Sequence, residues 1–200
     1  AAILDTVSMD QEDDRAEYRR LVVDVLVACC YLLRDYVQHL VTIATTNTTL
    51  SSSALFCLSA TAREVNARVK SRVARDREQT AGLLRHAAAH VCNSDNFEVA
   101  RFLGAFAPTW SVHCSVDETI QLLVCLRRMQ SSTDPQLCLE SSKAIKSILV
   151  TCANLLGPYS GLQECLRGLI DTTLSSDDEE AMSLVAEGCT RLAVQHQVRL

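Results

Sequence analysis

The apolar positions of this chain recur three and four residues apart, the spacing of one face of an α-helix. Leu162, Cys165, Leu166, Leu169 and Ile170 follow it in one stretch. Cys138, Ile145, Ile148, Leu149, Cys152, Leu155 and Leu156 follow it in another, with Lys143 and Lys146 on a different side. The order apolar helix, short polar turn, apolar helix then repeats along the chain. One copy runs from Thr80 to Trp110 and turns at Asn93-Ser94-Asp95-Asn96. The next runs from Val116 to Leu156, turning at Ser131-Ser132-Thr133-Asp134-Pro135, and the last from Gly161 to Gln195, turning at Ser175-Ser176-Asp177-Asp178. A fainter copy covers Tyr36 to Val65 around a tract of Thr and Ser between Thr45 and Ser53. Asp13 to Leu33 reads as the lone second helix of a preceding copy. The second helices are predicted to start near Ala54, Phe97, Gln136 and Glu179, at intervals of 43, 39 and 43 residues.

One helix hairpin cannot bury its own stripe, whereas a stack of hairpins can, which is why such units come in arrays. The interval matches the ~40–47-residue period of HEAT and armadillo repeats. The predicted fold is therefore all-α: a HEAT-repeat superhelical solenoid, a right-handed stack of antiparallel helix hairpins. It forms a single array over 1–200, with units at 10–33 (a lone second helix), 34–68, 79–111, 115–156 and 160–197. Capping chemistry marks the helix ends. Ser115 with Glu118 has the spacing of a capping box, as do Ser160 with Gln163 and Ser176 with Glu179. Asp134-Pro135 supplies a capping acid and a proline at the first helical position, where its missing N–H costs nothing. Gly157-Pro158 stops a helix, and Pro108 ends or kinks the one that carries Phe97, Leu103 and Phe106.

Composition agrees. Over 200 residues, 48% apolar and 22% charged side chains are too apolar for a disordered chain. Six Gly, three Pro and 4% aromatic residues disfavour a β-sandwich or barrel. The net charge of -5 argues against a surface devoted to nucleic acid, and no direct nucleic-acid partner is expected. Ten cysteines are spread evenly through the helical stripes without a C-x-x-C pair, so they read as buried free thiols of a reducing compartment. Asn47-Thr48-Thr49 is a glycosylation sequon in form and a Thr-rich loop by context. The uncharged stretch from Tyr36 to Ala62 is interrupted by the Thr/Ser tract, which predicts two helices and a loop, with no membrane span. The chain begins at Ala1 with neither Met nor a signal segment and reads as a piece of a longer array.

Motifs of catalysis are missing. There is no Gly-rich phosphate loop, no G-x-S-x-G and no H-E-x-x-H, so neither an enzyme nor a cofactor is expected. His86 and His90 lie four apart with Cys92 behind them, a spacing that can face one metal, but a third ligand is not evident and ordinary boundary histidines are expected. His113-Cys114 is read as loop before the Ser115 cap, because adjacent side chains rarely meet. From Arg63 to Arg77 lie Arg63, Arg68, Lys70, Arg72, Arg75 and Arg77 against Glu64 and Asp76, a local +4 that leaves -9 for the rest. This run is either a contact for an acidic partner or a solvated helix end and linker. The acidic groups Asp10 to Asp14 and Asp177 to Glu180 sit at predicted helix starts, where they complement the helix dipole.

Three segments carry a family resemblance. Tyr18-Arg19-Arg20-Leu21-Val22-Val23-Asp24-Val25-Leu26 resembles the Tyr-Arg…Asp-x-Leu helix midway along importin-β-type nuclear transport receptors. Phe97 to Trp110, with its Leu103-Gly104…Trp110 pattern, is similar to a helix of the transportin-SR and importin-thirteen branch. Glu140 to Cys152 resembles that branch's Ala-x-Lys-Ala helix, with Ser142 in place of the usual Ala and Val150 in place of a Cys. The resemblance implies a karyopherin segment shuttling between cytoplasm and nucleus. Its implied partners are a cargo protein, the GTPase Ran (mostly through other repeats) and the phenylalanine-glycine repeats of nucleoporins. Cargo contacts in that family lie on the second-helix face, which makes Arg101, Lys143, Lys146 and Arg191 candidates, alongside Arg63, Arg68, Arg72 and Arg75 of the basic run. The alternative is a HEAT scaffold outside transport, such as a phosphatase regulatory or chromatin-complex subunit.

Overall fold

The computed structural model describes residues 17, 18, 20–70, 74–174 and 178–197, with residues 74 and 75 described by backbone alone. Among the described residues all regular structure is helical. α1 spans 20–32. It is followed by α2 (Tyr36–Thr46), α3 (Ser51–Ala60), α4 (Ala62–Val69), α5 (Ala74–Val91), α6 (Phe97–Ala105) and α7 (Ala107–His113). Then come α8 (Val116–Gln130), α9 (Pro135–Thr151), α10 (Ala153–Leu156), α11 (Leu162–Leu174) and α12 (Glu179–His196). No helix among them is long and apolar enough to cross a membrane.

The second helices lie side by side in chain order: α3 against α6, α6 against α9, α9 against α12. Their partners pack across them, α2 on α3, α8 on α9 and α11 on α12, while α5 packs on α2 and α4. Side-chain hydrogen bonds between neighbouring units keep the same step. Asn96 donates to the Ser52 hydroxyl, 44 residues back, and Thr109 to Asn66, 43 back. Gln130 donates to Thr173, 43 ahead, and Gln195 to Asn154, 41 back. The core follows the predicted stripes: Ile145, Ile148, Leu149, Cys152 and Leu156 are buried, as are Leu162, Leu166 and Leu169. At its centre Phe102, Phe106 and Trp110 pack with ring centroids 5.2, 6.1 and 6.2 Å apart, and the indole N–H of Trp110 donates to the Leu103 carbonyl at 2.7 Å.

Two glycines set the spacing of the second-helix row. A Cβ on Gly104 of α6 would stand 2.9 Å from the Ala144 Cα of α9, and one on Gly188 of α12 3.1 Å from the Lys146 Cα. Such close backbone approach needs a residue without a side chain.

Several local expectations are corrected. The second helix of the first unit starts at Ser51, not near Ala54, and the turn shrinks to residues 47–50, because Asn47 Oδ1 accepts the N–H groups of Thr49 and Leu50. α5 starts at Ala74, so part of the basic run is helix and not linker. The helix after Pro135 is two helices, broken at Cys152. α11 starts at Leu162, which puts Gly161 and not Ser160 at its cap position. α12 is capped by Asp178, whose carboxylate accepts the Ala181 N–H at 3.0 Å; Ser176 lies outside the described residues, as does the acidic group Asp10 to Asp14. His113 closes α7 and only Cys114 is connector. The Ser115–Glu118 box and the Asp134 cap form as predicted.

Candidate functional site

The second-helix row carries a ladder of charges. Arg101 on α6 lies with its guanidinium 5.0 Å from the Phe97 ring centre and pairs with Glu98 at 3.2 Å and with Glu140 of α9 at 3.1 Å. Glu140 also holds Lys143, one turn on, at 3.1 Å. On the other side of α9, Lys146 reaches Glu187 of α12 at 2.6 Å, and Glu187 binds Arg191 at 2.7 Å. α9 thus serves both neighbours, Glu140 and Lys143 towards α6 and Lys146 towards α12. Arg101, Lys143, Lys146 and Arg191 are joined into two linked groups by the three carboxylates.

The depth of the carboxylates differs along the ladder. The Glu98 and Glu140 side chains keep only 10% and 14% of their accessible surface beneath Lys143 at 45%, whereas Glu187 keeps 38%, more than Lys146 at 29%. Cations therefore stand over seated carboxylates between α6 and α9 only. Burial pushes the Glu98 carboxyl above its ordinary value against the pull of Arg101, and its Oε2 has no hydrogen-bond partner. Burial also lifts Glu140, but hydrogen bonds from Arg101 and Lys143 outweigh it and hold that carboxyl below the usual range. The hydrogen bond from Lys146 lowers Glu187. Beside the ladder, a groove of about 380 Å³ runs over small residues, Ser59, Ala100, Gly104, Ala144 and Ser147 among them.

The described cations of the basic run point to different surroundings. Arg63 is exposed on α4, while Arg68 turns back and donates to the Cys30 carbonyl of α1. Arg77 lies on α5 beside Pro108 and His113 of α7. Arg72 and the Arg75 side chain lie outside the described residues. His86 and His90 are exposed on α5, and among the described residues no group of three His, Cys, Asp or Glu can hold a metal ion. Of the ten cysteines five are buried and five partly so.

The carboxylates of the ladder have a faint sequence signal. Glu98 with Arg101 and Glu140 with Lys143 are three apart, and Glu187 with Arg191 four apart, the helix-surface spacing of opposite charges. The bonds between helices have no such signal. Comparison with models of known protein families, with curated proteins and with solved structures finds no match.

Proposed function

We propose that this chain is a stretch of HEAT repeats from a nuclear transport receptor of the importin-β type, a binding protein without catalysis. It would take a cargo protein along its second-helix face, release it under control of Ran-GTP and shuttle between cytoplasm and nucleus past phenylalanine-glycine nucleoporins. The observation that carries the binding reading is the ladder of α6, α9 and α12, in which four cations outnumber three carboxylates and Lys143 and Arg191 stand exposed towards a partner rich in acidic side chains. The repeat reading rests on the second helices stacking in chain order with hydrogen bonds at a step of about forty residues, the register of a HEAT array. The transport assignment rests on the likeness of Phe97 to Trp110 and Glu140 to Cys152 to the transportin-SR and importin-thirteen branch. The first of those segments is α6 and α7; the second is most of α9, including Lys143 and Lys146 of the ladder.

The test is capture of the protein in its natural length on immobilised Ran, loaded with GTP in one arm and GDP in the other. Capture by the GTP form alone, reversed by cargo, is the expected result, since two ligands coupled through one receptor must affect each other reciprocally. Equal capture or none would overturn the transport reading and leave the HEAT scaffold outside transport.

A further inference from the structure

The row of first helices has a site of its own. α5 and α8 are bridged by side chains, Arg85 to Glu118 and Arg128 to Asp95, and between them lies a groove of about 390 Å³. Three of the ten cysteines line it: Cys92, Cys114 and Cys125. Cys92 stands in the turn directly after α5 and is partly exposed to the groove. Cys125 is on α8, 5% exposed, and its Sγ lies 3.0 Å from the Cys92 carbonyl oxygen. Arg128, one turn further along α8, donates to the same carbonyl at 2.7 Å and to Asp95 at 3.0 Å. The turn is therefore held against α8 at one point by a thiol and a guanidinium together. The side-chain hydrogen bond with Cys125 and then the nearby guanidinium of Arg128 favour the thiolate of Cys92 over burial's opposite push.

We propose that Cys92 and Cys125 are a peroxide-oxidised dithiol that closes to a disulfide and ties the turn after α5 to α8. The Cys92 thiolate attacks one oxygen of hydrogen peroxide; the O–O bond breaks, the other oxygen leaves as hydroxide and is protonated to water, and Cys92 becomes a sulfenic acid. The Cys125 sulfur then attacks the Cys92 sulfur, the S–O bond breaks, and the second oxygen leaves as water with the Cys125 proton. Two thiols and one peroxide give one disulfide and two waters. The positions suit the roles. Cys92 meets the oxidant at the groove, and Cys125, at 5% exposure, is the less accessible of the two. Cys92 also lies outside the helix, in a turn whose backbone can adjust to disulfide geometry. Burial first and the Glu118 carboxylate second raise the Cys114 thiol to about 11, and the hydrogen bond to Cys92 and then burial raise Cys125, so Cys92, lowered, is the thiol of the three that meets the oxidant first.

The experiment treats the reduced chain with hydrogen peroxide, alkylates the remaining thiols and maps the peptides by mass spectrometry. The expected product has lost about 2 Da, joins the Cys92 and Cys125 peptides, carries alkylated Cys114 and reverts with dithiothreitol. In Cys125→Ser, dimedone should trap a sulfenic acid on Cys92. In Cys92→Ser, loss of the first thiols should slow by about tenfold. Ten alkylated thiols after a peroxide dose that oxidises free cysteine, a disulfide between other residues, or oxidation spread over all positions would each overturn the proposal. The map of the unmutated chain decides this even if a variant fails to fold.

Discussion

The close packing of α6 on α9 allows a sharp prediction, because the same substitution should change sign between two helices. Gly104→Ala adds a Cβ 2.9 Å from the Ala144 Cα and 3.0 Å from its Cβ. The first of these is backbone, so relief requires the helices to separate. Overpacking of a tight interface costs about 1–3 kcal/mol. Removing a glycine from a helix interior returns about 0.5–1 kcal/mol. The net expectation is a loss of up to about 2.5 kcal/mol, centred near 1 kcal/mol, and that central value is roughly 2–4 °C in Tm for a chain of this size. Gly82→Ala is the control. Gly82 is exposed within α5 and a Cβ there meets nothing within 4 Å, so only the helix term acts and stability should rise by about 0.5–1 kcal/mol. The double change Gly104→Ala with Ala144→Gly relieves the clash between the two methyl groups but leaves the clash with the α9 backbone and puts a glycine inside α9 at about 0.5–1 kcal/mol, so it should recover little of the loss. Urea denaturation followed by circular dichroism measures all four chains, with the midpoint read at unchanged slope. If Gly104→Ala gains stability as Gly82→Ala does, the close packing of the second-helix row is wrong.

Three further outcomes are expected. Gln130→Met should stay within about 1 kcal/mol of the parent in the same urea assay, because the buried Oε1 of Gln130 has no partner while Ser142 and Thr173 keep their own carbonyls at 2.9 and 2.7 Å. Ser115→Ala should cost about 1 kcal/mol by the same measurement, since it removes the hydroxyl that accepts the Glu118 N–H at the start of α8. Glu140→Gln should flatten the acid limb of the stability profile: with its folded pKa held below the ordinary 4.5, Glu140 contributes stability that is full above that value and lost as pH falls through the folded one, as urea midpoints between about pH 7 and pH 3 will show.

The periodicity of the sequence locates Phe97 and Glu179 as helix starts to the residue, and the buried stripes of α9 and α11 coincide with the apolar positions three and four apart. Those features are legible because each depends on neighbours within a turn or two. What depends on other units is not. The four cations of the ladder can be picked out as polar positions of the second helices, but their bonds to Glu98, Glu140 and Glu187 require the distance between helices, which Gly104 and Gly188 fix. The meeting of Cys92 with Cys125 is equally hidden, since 33 residues separate them and no short motif joins them. Ser160 has the capping-box spacing and is not the cap because α11 starts at Leu162, which puts Gly161 at the cap position.

The breaks in the second helices show most clearly what the stack adds. They fall at Thr61, Phe106 and Cys152, spaced 45 and 46 residues apart, with nearly the same backbone angles: φ −103, −99 and −93° and ψ 13, 13 and 14°. The three residues share no propensity to break a helix, and only Phe106 has a proline close behind it. Pro108 cannot donate to the Gly104 carbonyl, so one helical bond is missing there by chemistry. The groups freed around that break are nevertheless satisfied from both sides of the stack. Ser147 of α9 donates to the Gly104 carbonyl at 3.0 Å, Asn66 of α4 to that of Ala105 at 3.0 Å, and the Cys152 thiol reaches that of Ala107 at 3.7 Å. Each of these donors comes from the unit before or after. The bend of one helix thus supplies the acceptors that its neighbours' polar side chains need, and Cys152 is itself the next bend. A common angle with unlike residues is what results when packing between units, and not local sequence, decides where the helix turns.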